Sequence, residues 1–229
     1  MVLWRKNELI FDENTVWFFH QNFFGIIMQS IDDKLVSMVY GRGRGLVFTP
    51  KLFSSLGDPR VVGTVLTRLC RKGTIRRLAR GLYDYPRKHH QIGLLSPSID
   101  DVANALKGRD ATRLQPSGAY AANLLGLSNQ VPMKVVFLTD GPSKQVQLGK
   151  QEIVLKRTTP RNMATADRIS GLVIQALRHI GQKYVDAYVL HTLRKRLSDD
   201  NKKQLIKDLQ YAPAWIADIM RNISKQNGD

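Results

Sequence analysis

Cysteine is nearly absent from this 229-residue chain. The single Cys70 excludes an intrachain disulfide and any multi-cysteine zinc site, and suits a reducing cytosol. Beside an apolar helical stripe, it reads as a small buried hydrophobe. Long apolar runs are missing too. The most apolar stretch, Val16 to Met28, is too short to span a bilayer and is broken by His20, Gln21 and Asn22. Glu8, Asp12 and Glu13 precede it and no small-residue cleavage site follows, which is unlike a signal peptide. Acidic residues are scarce: 19 Asp and Glu stand against 35 Lys and Arg, a net charge of +16. Such an excess selects polyanionic partners and says nothing about fold.

Catalytic signatures are missing as well. HExxH, GxSxG, a P-loop and a Cys/His nucleophile pattern are all absent, as is the Gly-Ser plus Asp-x-Asp pattern of a nucleotidyltransferase. Gly41-Arg42-Gly43-Arg44-Gly45 is glycine-rich, but it lacks P-loop spacing and the Lys-Ser/Thr that would follow. It reads as a basic turn. The paired His89-His90 cannot both face one metal from a regular element, and His179 and His191 fall on separate predicted helices. Three aspartate pairs, Asp32-Asp33, Asp100-Asp101 and Asp199-Asp200, each follow a serine closely. Negative charge in a first helical turn accounts for them without a metal. The expectation is a protein that is not an enzyme and carries no cofactor and no metal.

What is present centres on Asp58 to Pro86. Asp58 is a suitable N-cap and Pro59 a suitable first helical residue. Val62, Val65, Leu66 and Leu69 then recur at i, i+3, i+4 and i+7, a core-facing stripe. Gly73 stands where a helix ends. Arg60, Thr64, Thr67, Arg68 and Arg71 occupy the opposite face. Beyond it, Thr74–Leu78, a turn at Ala79-Arg80-Gly81 and Leu82–Tyr85 read as strand, turn, strand. Upstream, Ser30 with Asp33 resembles a capping box for a helix to about Tyr40, with Ile31, Leu35, Val36 and Val39 inward. Leu46–Thr49 is a short strand and Pro50 opens a helix to about Leu56. The order is that of a winged helix-turn-helix, which lays its second helix in the DNA major groove. An exposed basic helix face is often merely solvated. Here residues 41–90 hold twelve Lys or Arg against two Asp, a net +10 within 50 residues, which favours a nucleic-acid footprint.

The rest reads as linker, sheet and helices. Pro86–Pro97 is a linker. Ser98 caps a helix to about Leu106, Leu114–Gly118 breaks the pattern, and Tyr120–Leu125 is a small-residue helix. Val135–Leu138 is a strand. Val146 and Leu148 alternate with glutamines, Gly149-Lys150 makes a type II′ hairpin turn and Ile153–Leu155 returns. Ile169, Leu172, Val173, Ala176, Leu177 and Ile180 form an amphipathic stripe. Further helices cover Tyr184–Leu197, Asp199–Leu209 and Pro213–Ile223. In Lys156–Met163, Arg157, Thr158, Thr159 and Arg161 are the right types to hold a phosphate or carboxylate. A structural turn capped by Thr-Thr-Pro explains them equally well. The fold class is α+β: a winged helix over 30–88, then residues 89–229 as an α+β domain with a small antiparallel sheet and a C-terminal helical bundle. Residues 1–29, with Trp4, Trp17 and five of the eight phenylalanines, stand apart as an aromatic leader. They read either as an arm for a partner or as a stretch upstream of a true start at Met28.

Four segments in order, FTPKLFSSLGDPRVVGTVLTRLCRKGTIRRLARGLYDYP, LQPSGAYAANLLGLSNQVP, FLTDGPSK and KRTTPRNM, resemble the AbiEi-type antitoxins of bacterial type IV toxin–antitoxin systems, over about residues 30–225. The resemblance implies a winged helix that binds the chain's own promoter as duplex DNA and represses its operon. It further implies a C-terminal domain that counters a nucleotidyltransferase-like toxin encoded nearby, without a tight complex, in the bacterial cytoplasm and on the nucleoid when DNA-bound. It places DNA contact on Arg60, Thr64, Thr67, Arg68 and Arg71, and wing contact on Arg76, Arg77 and Arg80. Lys72 and the wing arginines would neutralise phosphates. The leader departs from the family pattern. Two other readings of the charge are an RNA-binding module and an antitoxin whose basic face docks an acidic protein.

Overall fold

The computed structural model describes residues 30–108 and 112–225; the aromatic leader lies outside them. The chain is α+β. Helix α1 is Ile31–Gly41. Ser30 accepts from the Asp33 N–H at 3.2 Å and donates its hydroxyl to the Asp33 carboxylate at 2.7 Å, a reciprocal cap. Leu35 and Val39 are fully buried, while Ile31 and Val36 pack at the rim. Strand β1 is Val47–Phe48. The helix expected over Pro50–Leu56 is instead a single 3-10 turn, Pro50–Phe53. Ser54 and Ser55 compete for backbone hydrogen bonds and Gly57 follows at φ +150°, so the turn does not propagate.

Helix α2 spans Pro59–Arg71. The Asp58 carboxylate accepts from the Arg60 N–H at 2.6 Å, and Val62, Val65, Leu66 and Leu69 are buried. The end is a Schellman motif. Thr74 N–H bonds the Leu69 carbonyl, Gly73 N–H bonds that of Cys70, and Gly73 takes φ +69°. Strands β2 (Arg76–Ala79) and β3 (Leu82–Asp84) turn about Arg80-Gly81 and pair with a register shift between Arg77 and Ala79. The sheet order β1-β3-β2 completes the winged helix. Its core is built on Phe48, Phe53, Leu66 and Ile75, with Phe48 edge-on to Phe53 at 5.4 Å between ring centroids.

The expected linker holds a second ribbon, β4 (Lys88–His89) against β5 (Gly93–Leu94). Helix α3, Ile99–Lys107, begins where Ser98 accepts from the Asp101 N–H. A four-stranded sheet follows: β6 (Leu114–Ser117), β7 (Lys134–Thr139), β8 (Lys144–Leu148) and β9 (Gln151–Arg157), ordered β6-β7-β9-β8. Two ladders are antiparallel, while β7 and β9 run parallel. The segment LQPSG is therefore strand as well as breaker. Pro116 lacks an N–H, and an edge position tolerates that. Gly149, at φ +56°, makes the β8–β9 turn as expected.

The second core crosses the expected boundary at residue 88. Val47 and Leu82 of the winged helix are buried with Val102, Leu106, Phe137, Val146 and Ile153, and Leu78 and Ala79 pack on the same cluster. The wing strands thus rest on the following domain. Helix α4, Gly118–Leu124, packs on α6, Ile169–Ile180; the short α5, Pro160–Met163, lies between β9 and α6. Helices α7 (Ala187–Arg196), α8 (Asp199–Lys207) and α9 (Ala214–Ser224) close a third core around Leu177, Leu193, Leu205 and Met220. Buried Asp208 ties this bundle together, accepting from Arg168 at 2.7 Å and Gln204 at 2.8 Å. Among the described residues no helix is long and apolar enough to cross a membrane.

Candidate nucleic-acid interface

A short helix with an apolar stripe must expose its other face, and in α2 that face is where the arginines lie. Arg60, Thr64, Thr67, Arg68 and Arg71 are all exposed, and Lys72 caps the end beside them. With Gly63 and Tyr83 the first five line a shallow groove. The Thr64 hydroxyl donates to the Arg60 carbonyl at 3.0 Å and Thr67 to the Gly63 carbonyl at 2.8 Å. Each hydroxyl proton is thereby committed inward, leaving the oxygen lone pairs to accept from a ligand. A side chain at Gly63 would meet nothing within 4 Å, so the protein itself does not require the glycine's smallness.

Arg77 and Arg80 are exposed on the hairpin. Arg76 differs from them. It lies opposite Asp84 in the β2–β3 register, its Nε and Nη2 bond the two Asp84 carboxylate oxygens at 3.0 and 2.5 Å, and Nη2 also reaches the Leu95 carbonyl at 2.6 Å. Asp84 is 2% exposed, and this bond holds the Arg76 guanidinium charged above its ordinary range. Arg76, expected as a wing contact, thus also holds a structural bond: its Nε and Nη2 face a buried carboxylate, and alternation along the hairpin does not show which arginines turn inward.

Two features had no sequence signal of this role. Arg68 is ion-paired to Asp32, in the first turn of α1, across 36 positions. Read locally, Asp32 needed no role beyond the helix N-terminus. In the glycine loop, Arg44 donates to the Pro86 carbonyl at 3.1 Å and lies 4.7 Å over the Tyr85 ring, so it is fastened to the fold. Cys70 is half-buried; burial pushes its thiol above the usual range, and nearby Arg77 opposes that.

The second candidate cluster lies past the carboxyl ends of β7 and β9. Arg157 N–H bonds the Ser143 hydroxyl, Thr158 N–H bonds the Thr139 carbonyl, and Asn162 donates to the Thr158 hydroxyl. Thr159 occupies the N-cap position of α5 without a side-chain cap bond. The turn is thus built by backbone and Thr158, while the Arg157 and Arg161 side chains are exposed. Arg113 and Arg178 are spoken for: Arg113 bonds Asp140 and the Met163 carbonyl, and Arg178 bonds Asn162.

Among curated proteins none matches this chain. A family model matches from residue 31, the start of α1, to residue 205, within α8. That span takes in the basic helix, the hairpin and the sheet, and the chain belongs to that family, DUF6088, a family of unknown function.

Proposed function

We propose that this protein is an antitoxin of the type IV toxin–antitoxin kind that also represses its own operon by binding duplex promoter DNA. The observation that carries the DNA reading is the exposed face of α2. Arg60, Thr64, Thr67, Arg68 and Arg71 stand together there, Lys72 follows at the end of the helix, and Arg77 in β2 and Arg80 in the turn are exposed on the hairpin. An α-helix of this width fits the major groove, where an arginine reads guanine O6 and N7 with two hydrogen bonds, about 1–3 kcal/mol of discrimination each. Lys72, Arg77 and Arg80 neutralise phosphates and set register and salt dependence. Repression follows from occupation of the promoter. The antitoxin role, against a nucleotidyltransferase-like toxin and without a tight complex, rests on the four segments that resemble AbiEi-type antitoxins. On this reading the protein works in the bacterial cytoplasm. Arg157, Thr159 and Arg161 offer a further anion contact on the C-terminal domain.

A fluorescence-anisotropy titration of the whole chain tests it, against the duplex upstream of its own gene and a scrambled duplex, at two salt concentrations. Preference for the upstream duplex that persists at the higher salt is the expected result. Equal and salt-fragile binding to both would overturn promoter recognition and leave RNA or an acidic protein as the partner.

A further inference from the structure

On the basic face of α2 one carboxylate from outside the helix reaches the arginines. Asp32 comes from the first turn of α1 and pairs with the Arg68 guanidinium. Its neighbour Asp33 is occupied by the Ser30 cap. Arg60 and Arg71 lie on the same face of α2, yet neither has such a partner among the described ion pairs. The bond from Arg68 uses Nη2 alone, which leaves donors on Nε and Nη1 for a ligand.

This pairing has a chemical consequence. A guanidinium held by a carboxylate is fixed in direction and locally neutralised. A phosphate approaching it meets the Asp32 charge and is repelled. A base edge carries no net charge and meets only the free donors. We infer that Asp32 is a specificity-determining positioning residue: it aims Arg68 at a base edge and denies it to the phosphate backbone. This inference rests on the proposed DNA reading. It separates Arg68, as reader, from Arg80 and Lys72, as general phosphate contacts.

The test uses the whole chain and four variants, Asp32→Asn, Asp33→Asn, Arg68→Ala and Asp32→Asn combined with Arg68→Ala, titrated on the upstream and scrambled duplexes over a salt series. Asp32→Asn is expected to tighten the scrambled duplex without tightening the upstream one. The ratio of the two affinities falls about three- to fivefold, the size of an exposed ion pair. The salt slope on scrambled DNA steepens by about one phosphate as Arg68 is released to the backbone. Asp33→Asn makes the same change in net charge and should leave the ratio unmoved. In the Arg68→Ala background Asp32→Asn should have no effect on the ratio. A loss of helix stability alone would move neither ratio nor slope. Equal changes from Asp32→Asn and Asp33→Asn would overturn the inference, because only net charge would be at work. Should the wild-type chain show no preference between duplexes, promoter recognition fails. The salt slope of Asp32→Asn on scrambled DNA would still report whether Asp32 withholds Arg68 from phosphate, and an unchanged slope would overturn that as well.

Discussion

Replacing Arg76 with alanine separates the two roles an arginine on this hairpin can have. Asp84 is 2% exposed and receives bonds of 3.0 and 2.5 Å from Arg76, and the Leu95 carbonyl receives a third from the same side chain. Arg76→Ala leaves a buried carboxylate with its cation gone and a carbonyl without that donor. Stranding one member of a buried pair costs roughly 3–5 kcal/mol. The Arg76 side chain is itself 30% exposed, so water reaches the vacated space and the lower end, about 3 kcal/mol, applies. For a chain of this size that lowers Tm by about 6–12 °C. Urea unfolding followed by far-UV circular dichroism measures the stability directly, and anisotropy with scrambled duplex at low temperature, where the variant stays folded, measures DNA affinity. The expected outcome is a large stability loss with an unchanged salt slope. Wild-type stability together with a slope shallower by about one phosphate would refute the reasoning and place Arg76 in the interface.

Three further predictions follow from the same geometry. Gly63→Ala should raise stability by about 0.8–1 kcal/mol, since the position is helical and the new methyl meets nothing. It should also weaken duplex binding if the α2 backbone closely approaches the groove; a thermal melt and a titration on one sample read both, and unchanged affinity would place Gly63 off the contact surface. The Arg113 N–H and guanidinium hold the Asp140 carboxyl below the usual carboxylate range. Its folded pKa is depressed, so that contribution is complete above about pH 4 and is lost as pH falls through the folded value. Asp140→Asn should therefore flatten the acid limb of stability against pH, and an unaltered limb would sink the assignment. A chain ending at residue 97 exposes Val47 and Leu82, which the second core buries. It should show a broadened, non-cooperative melt; a sharp transition like that of the whole chain would show the winged helix to be self-sufficient.

The strongly periodic parts of the fold were legible from residues alone. The α2 stripe, its Asp58 and Gly73 ends, the Arg80-Gly81 turn and the Gly149 turn depend on local chemistry, and local chemistry is written in neighbouring positions. The failures are non-local. β6 hides behind Pro116 and Ser117, because an edge strand escapes the rule against proline only through its place in the sheet. The parallel pairing of β7 with β9 is a matter of topology, which alternation does not encode. Pro50–Leu56 has helical composition, but two serines and Gly57 stop it after one 3-10 turn. At the candidate interface, composition identified which face is basic and could not sort its members. Arg76 and Arg68 look alike in sequence, yet one is bound to Asp84 across a hairpin and the other to Asp32 across 36 positions.

The shared core also bears on the order in which the chain can mature. Val47 and Leu82 are complete as sequence once β3 has been made, but Ile153 and Leu155, in the same cluster, follow about seventy residues later. At about 5–20 residues per second, synthesis of that interval takes roughly 4–14 s. For those seconds the nascent basic helix already carries its arginines, while the strands that aim the hairpin still have an uncovered apolar face. The final placement of the hairpin therefore belongs to the finished chain, and a ribosome stalled before β9 displays charge without aim.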